Sequence, residues 1–528
     1  MYPFKINLNT MKRLFIRQTG FAIVSLIVLG NLFSCSKSSK ETGPVITGLS
    51  ADTAWIGKTI TINGSGFSAT ASGNTVRIGN TVISDILEAT TEALTFKVPA
   101  ATTSGKVYVS VDNKETSGPR ELIIVNQLDW QKALGGSMPD YGIAVAPSSD
   151  GGYLLAGYSQ STDGDVNSNH GSVDMWVVKL NGNRSIAWQK VLGGSGDDFA
   201  SSIVALADGG CVVAGYTTSN DGDVAGNHGS NDYWIIKLNA AGNVVWKSIL
   251  GGSGSDVTTS IVATATGYAV AGYTSSTDGN VSGNHGNNDY WVVWLDVNGA
   301  LIRQKTYGGT VSDQAWSITS TQEGGYLVAG KASSTNGDVT ANHGSYDFWV
   351  LKLNAAGDIE WQKSLGGSRS ETARSIIAAS DGSSIVAGYS TSIDGDVTGS
   401  HGSTDMWVVK LNANGTIAWQ KSLGGAESEQ AMQVTPAKNG GCTIGGYTTS
   451  SDGDVTSNHG ANDSWIVRLN ATGSVVWQKT LGGTNTEGAF SIAATGNSFV
   501  ALGVSDSPDG DVTGLHGDYD LWLFKIWD

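Results

Sequence analysis

Asp221-Gly222-Asp223-Val224-Ala225-Gly226-Asn227-His228-Gly229-Ser230-Asn231-Asp232-Tyr233-Trp234 is the stretch on which the fold turns, because versions of it recur six more times along the chain. Its histidine returns as His170, His228, His285, His343, His401, His459 and His516, which are all seven histidines of the protein. Steps of 57 or 58 residues mark an internal repeat, and a period of that size belongs to solenoids, propellers and arrays.

One repeat, from Leu192 to Leu250, reads as four strands. Ser202 to Ala207 leads through Asp208-Gly209-Gly210 into Cys211 to Thr217; the long acidic loop follows, then Tyr233 to Leu238, a turn at Gly242, and Val244 to Leu250. Both short connections carry glycine where a hairpin needs positive φ. Four antiparallel strands repeated radially make a propeller blade. The array opens with Asp129-Trp130-Gln131-Lys132-Ala133-Leu134, a fourth strand with no first three before it, and closes with Leu521 to Ile526, a third strand with no fourth. Joined, the two fragments complete a seventh blade and leave no open edge at the ends. The expected fold class is therefore all-β: a seven-bladed β-propeller closed by its N-terminal strand.

Leu192-Gly193-Gly194-Ser195-Gly196-Asp197-Asp198, with Val213-Ala214-Gly215-Tyr216, resembles the bacterial beta-propeller repeat family. Its long acidic loop exceeds that family's shorter repeat, so the resemblance implies fold more than activity. Cys211 and Cys442 hold one strand position four repeats apart, too far for the ~7 Å Cα separation of a disulfide, and read as small buried residues. Nine-residue pairs (Lys179 with Trp188, Lys237 with Trp246, Lys352 with Trp361, Lys410 with Trp419, Arg468 with Trp477) predict opposed positions on the third and fourth strands. Trp294 and Arg303 exchange the cation and the ring, which predicts cation-π pairs and places Lys525 beside Trp130 at the closure.

Two readings of the acidic loop compete. In the structural one, each histidine and the aspartate four residues on form a satisfied polar network that holds the loop over its blade: His170 with Asp174, His228 with Asp232, His285 with Asp289, His343 with Asp347, His401 with Asp405, His459 with Asp463 and His516 with Asp520. It is similar to the His, Asp and Trp network of WD-type propellers, where the histidine lies in a different loop. In the other, Ca2+ is clasped by Asp163 and Asp165, Asp221 and Asp223, Asp394 and Asp396, Asp452 and Asp454, and Asp509 and Asp511, as a hard ion that takes six to eight oxygens. Asp278-Gly279-Asn280 and Asn336-Gly337-Asp338 soften the motif, which favours structure; no cofactor is required. With Asp140, Asp198, Asp256, Asp313, Glu371, Glu429 and Glu487 in the connections between blades, these loops predict one strongly negative face.

Nothing in the chain matches a Gly-x-Ser-x-Gly elbow, a His-Glu-x-x-His helix or a phosphate-cradling loop, and an acid/base pair needs two unlike environments that repetition does not provide. No catalytic residue is assigned. Asymmetry is the better guide. One position, read as lying just before the first strand at the channel mouth, varies freely as Ile143, Ser201, Thr259, Trp316, Arg374, Met432 and Phe490. Its neighbours Tyr141, Phe199, Gln314 and Gln430 vary too, and Lys331 replaces the usual tyrosine. Trp316, Arg374, Met432, Phe490, Gln314, Gln430 and Lys331 are the expected ligand-binding set, suited to a sugar or a peptide.

Ahead of the array, Pro44 to Val125 alternates as an antiparallel sandwich would, through Thr59 to Ile62, Thr75 to Ile78, Leu94 to Val98 and Val107 to Val111. Pro44-Val45-Ile46, the run Gly57 to Phe67, Val76-Arg77-Ile78-Gly79 and Val98-Pro99 resemble the IPT/TIG immunoglobulin-like family, which implies a spacer or binding module. At the start, Lys12, Arg13 and Arg17 precede the apolar run Phe21 to Phe33, the size of a signal-peptide core, and Leu32-Phe33-Ser34-Cys35 resembles a bacterial lipobox with Cys35 lipidated; Met11 is a second candidate start. The expected organisation is a signal peptide at 1–34, a tether at 35–43, an immunoglobulin-like domain at 44–126 and a propeller at 127–528. A net charge of −16 without clustered Lys and Arg argues against a nucleic-acid partner. The resulting expectation is a monomeric, non-enzymatic outer-membrane lipoprotein, periplasmic or surface-facing, touching the membrane only through the lipid on Cys35. Its partner would be a surface glycan or an envelope protein; a polysaccharide hydrolase or lyase and a purely structural surface protein are the alternatives.

Overall fold

The computed structural model describes residues 43–99, 102–124, 127–437 and 440–528. The leader, Cys35 and the tether up to Thr42 lie outside the described residues. The chain divides into two compact units at Ile124/Val125.

The first unit is a sandwich. One sheet orders Val45–Leu49, Thr59–Ser65, Ala93–Lys97 and Ile86–Ala89; the other orders Thr53–Ala54, Lys114–Ile124, Gly105–Val111, Thr75–Ile78 and Thr81–Ile83. Alternate residues of facing strands, among them Ile60, Ile62, Leu94, Phe96, Val76, Val107 and Val109, are buried between the sheets, as period-two patterning requires.

In the second unit the described residues form seven four-stranded antiparallel sheets. In blade two, Asp198–Ala205 lies innermost, followed by Cys211–Thr217, Asp232–Leu238 and, outermost, Val244–Leu250. Blade seven consists of Glu487–Ala494, Ser498–Ser505 and Asp520–Trp527, with Leu128–Leu134 from the other end of the sequence as its outer strand. Each inner strand contacts the next, and that of blade seven contacts Asp140–Pro147 of blade one, so the ring is closed.

The core lies between blades. One cluster joins Leu154, Met175 and Val177 of blade one to Val213, Trp234 and Ile236 of blade two. Cys211 and Cys442 are buried free thiols whose pKa burial pushes up to about 12.

The nine-residue pairs are directly opposed, including Trp130 with Lys525 at the closure. The expected cation-π pairing holds only for the exchanged pair, where Arg303 sits 4.1 Å from the Trp294 ring centre. In four of the other pairs the cation turns to acid, Lys179 to Asp150 at 2.8 Å, Lys352 to Glu323 at 2.9 Å, Arg468 to Asp528 at 3.1 Å and Lys525 to Asp129 at 3.2 Å. The outer-strand indole instead reaches the next blade. Trp188, Trp246, Trp361 and Trp419 donate Nε1–H to the carbonyls of Ala240, Val297, Ala413 and Ala471 in the neighbouring hairpin turn, at 2.9 to 3.1 Å. Arg303 takes over that role, donating to Ala355 at 2.6 Å. Position conserves an inter-blade donor, which is why an arginine substitutes for the ring.

Candidate binding site in the central channel

The inner strands carry an identical irregularity. Register shifts at Gly142/Ala144, and at the equivalent step in every blade, leave one residue unpaired: Ile143, Ser201, Thr259, Trp316, Arg374, Met432 or Phe490. The freely varying position is thus a β-bulge inside the first strand, which begins three residues earlier, and not a residue before it. A bulge re-aims a side chain without breaking its sheet. All seven bulge residues line one cavity of about 410 Å3.

The residue after the bulge ties the ring together. The hydroxyls of Ser202, Ser260 and Ser317 accept the backbone N–H of Ile261, Ile318 and Ile376 on the next blade at 3.2 to 3.3 Å. Gln433 accepts from Ile492 at 2.7 Å, and Ser491 from Val145 across the closure at 3.1 Å. This girdle was not foreseen, although serine recurs immediately after the variable residue in most repeats.

Of the bulge residues, Trp316 and Arg374 stand out. The guanidinium lies 4.2 Å from the Trp316 ring centre and 3.9 Å from the Met432 sulfur. Burial lowers its pKa, while Tyr389, Tyr447 and Tyr273 act the other way. Trp316 Nε1 is buried without a hydrogen-bond partner. Tyr158, Phe199 and Tyr216 add an aromatic wall with successive ring centres 4.9 Å apart, continuing to Tyr141 and Tyr519. Gln314 and Gln430 lie outside the cavity lining and pair across their hairpins with Lys331 and Tyr447. Lys331 also lies outside the lining, with its ammonium 4.4 Å from the Tyr346 ring centre.

The acidic loops do structural work on both sides of each blade. Asp163 Oδ1 accepts the Ser137 amide at 2.7 Å, and Asp221, Asp394, Asp452 and Asp509 do the same for Ser195, Ser368, Ala426 and Thr484. Asn336 serves Thr310 identically, so the position needs an acceptor and not a charge. Asp165, Asp396, Asp454 and Asp511 exchange hydrogen bonds with the first glycine of the Gly-Gly connection, as Asn280 does in blade three. Asp223 keeps the backbone half of that exchange, while its side chain meets Lys247. Among the described residues no group of three or more His, Cys, Asp or Glu is arranged to hold a metal ion.

At the far end of each loop, His170 Nδ1 lies 2.9 Å from Asp174, and His228, His285, His343, His459 and His516 lie 2.5 to 2.9 Å from Asp232, Asp289, Asp347, Asp463 and Asp520. In blade five the ring draws off to 3.9 Å, while the His401 amide still donates to Asp405 at 2.6 Å. These aspartates are fully buried, as are Asp140, Asp198, Asp256, Asp313, Glu371, Glu429 and Glu487. The second set receives the amide of the second glycine, as Gly194 gives Asp198 at 2.8 Å. The expected negative face is thereby corrected: two of its carboxyls per blade are interior struts, while the Asp-Gly-Asp groups, with Asp197, Glu427 and Asp518, reach solvent.

Residues 44–122 match the IPT/TIG domain. The chain is also 27% identical over 186 residues to the regulatory protein FlaEY of Caulobacter vibrioides, a match covering 33% of this chain and 19% of that protein. Among solved structures it is similar to an auxiliary nutrient binding protein from Bacteroides thetaiotaomicron, at 10% identity and TM-score 0.35, over 92% of this chain and 98% of that one. A second is the Pan2 WD40 domain of Neurospora crassa, at 12% identity and TM-score 0.41, over 74% and 95%. Likenesses this distant assign no activity.

Proposed function

We propose that this protein is a non-enzymatic binding module of the bacterial cell envelope that captures a glycan in the channel of its propeller. One observation carries the reading: seven strands with a common framework present seven different side chains, from serine to tryptophan, at the one bulge that faces the cavity. A framework held constant around a variable, half-buried lining is the construction of a ligand pocket. The lining supplies aromatic, aliphatic, guanidinium and hydroxyl groups, and no carboxyl group among the described residues. Glycosidic cleavage generally relies on a pair of carboxyls flanking the bond, which supports capture over turnover. The immunoglobulin-like unit serves as the spacer, and a lipid on Cys35 as the outer-membrane anchor.

A glycan array and a turnover assay on the same glycans test this together. Binding without product formation is the expected result, whereas release of product, or an array with no bound glycan, overturns it. Metabolic lipid labelling that persists in Cys35→Ala would remove the anchor.

A further inference from the structure

Blades four and five break the repeat at adjoining places. Lys331 stands where other second strands carry Tyr158, Tyr216, Tyr273, Tyr389 or Tyr447, and Arg374 occupies the neighbouring bulge. Each cation rests on a ring, Tyr346 and Trp316 respectively, and neither makes an ion pair among the described residues. Lys331 lies opposite Gln314, two residues before Trp316 on the adjoining strand, and Arg374 rests on that same Trp316; burial first, and then the charge of Arg374, lowers the basicity of Lys331. The two buried cations among the described residues are matched by acid, Lys179 by Asp150 and Arg468 by Asp528, whereas Arg303, like Arg374, rests on a ring. Two like charges half removed from water, with no acid beside them, are unfavourable in the empty protein. The partnerless indole N–H of Trp316 adds a third donor at the same place.

We propose that Arg374 and the indole N–H of Trp316 form a receptor for the carboxylate of an acidic sugar, with Lys331 adding positive charge from just outside the lining and Tyr158, Phe199 and Tyr216 receiving the ring of the sugar chain. The inference rests on the channel being the binding site. A planar guanidinium fork suits a carboxylate, and a singly charged group suits a protein of net charge −16 better than a dianion does. Long-range repulsion from that net charge is screened beyond about 8 Å at physiological salt, so the local cations dominate at contact. The cavity of about 410 Å3 is of the size that takes small ligands.

The test uses the exported chain with glucuronate, glucose, acetate and inorganic phosphate at equal concentration, read by ligand-observed NMR and by melting temperature at low and high salt. Lys331→Tyr and Arg374→Thr are the variants, each installing the residue that another blade carries at that place, so folding is retained. Glucuronate is expected to bind at least tenfold more tightly than glucose, to weaken with salt, and to lose about tenfold in Arg374→Thr and a smaller, salt-dependent factor in Lys331→Tyr. Glucose and glucuronate binding alike, unchanged by the variants, overturns the cation receptor and leaves the channel reading standing. Acetate or phosphate matching glucuronate overturns the sugar half of the inference. No response to glucuronate overturns it altogether.

Discussion

Replacing Lys247 with glutamine should stabilise the propeller. In six blades the buried third-strand tryptophan donates its indole N–H to a fourth-strand glutamine: Trp176 to Gln189, Trp291 to Gln304, Trp349 to Gln362, Trp407 to Gln420, Trp465 to Gln478 and Trp522 to Gln131, at 2.6 to 2.9 Å. The glutamine then passes its own N–H to the acidic loop, as Gln189 does to the Asp165 carbonyl at 2.5 Å. In blade two Lys247 keeps the second contact, donating to the Asp223 carbonyl at 2.7 Å, and adds an ion pair with the Asp223 carboxylate at 2.9 Å. An ammonium accepts nothing, so Trp234 Nε1 is left buried and unpaired. An orphaned buried donor costs about 1–3 kcal/mol, whereas a partly exposed ion pair is worth about 0.2–1 kcal/mol. Lys247→Gln should therefore gain about 1 kcal/mol. If the ring unfolds as one unit of roughly 400 residues, at about 2 cal/mol/K of unfolding entropy per residue, that is a rise of only about 1 °C in Tm. Urea titration in a double-mutant cycle with Trp234→Phe is the sharper assay, because the gain must vanish when the donor is absent. A Lys247→Gln protein no more stable than wild type, or equally stabilised in the Trp234→Phe background, refutes the reasoning.

Three further outcomes are expected. A Cβ on Gly193 would come within 2.6 Å of Asp198 Oδ2 and closer still to Asp174 Oδ1, so Gly193→Ala should lose about 1–3 kcal/mol in urea titration; Gly226→Ala, at φ +96° with open space around it, should lose about 1 kcal/mol from its backbone alone, and an equal loss at both sites would remove the steric account. Trp188→Phe should lose about 1 kcal/mol with its inter-blade donor, and Trp188→Arg, which restores the arrangement of Arg303, should recover part of it; an arginine variant no better than phenylalanine contradicts the donor role. Burial holds the carboxyls of Asp174, Asp232, Asp289, Asp347, Asp463 and Asp520 above their ordinary values. Groups that bind protons more tightly when folded contribute fully below the unfolded pKa of about 3.9 and lose that contribution as pH rises through the folded value. Tm should therefore rise as pH is lowered from 7 toward 4.5, until the amide-bonded Asp163, Asp221, Asp278 and Asp394, whose pKa values lie below the ordinary one, begin to protonate near or below that ordinary value; a Tm that falls steadily from pH 7 contradicts the sign.

The blade count and its closure were legible because both are written in order along the chain: glycine turns at a fixed offset, and two fragments at the ends that only each other can complete. Strand register was legible from Trp294 and Arg303, since an exchange keeps a pair recognisable. Its physical cause was not, because the acceptor for each indole lies some fifty residues on, in the next repeat, where a reading one repeat at a time does not look. The bulge showed itself as variability but was placed too early, since the extra residue here is no glycine and leaves no mark of its own. Carboxyl burial was hidden for a related reason: Asp198 and Asp223 look equally polar as letters. The Gly193-Gly194 step held the clue, being glycine because a carboxyl approaches from each side. Lys247 was visible throughout in the alignment of the seven fourth strands, as the one break in a column of glutamines.

Order of assembly follows from how the ring is sealed. Six blades draw their strands from one local stretch, so each gathers itself early. The last must wait for segments 391 positions apart, as the Trp522 to Gln131 bond records. On simple chain statistics that search is only about 1.7 kcal/mol dearer than one across a single repeat, a modest penalty but one that falls entirely on the final event. Until it is met, Leu128–Leu134 waits as a lone strand and Asp520–Trp527 as an uncovered border, each able to seek its counterpart on another nascent molecule.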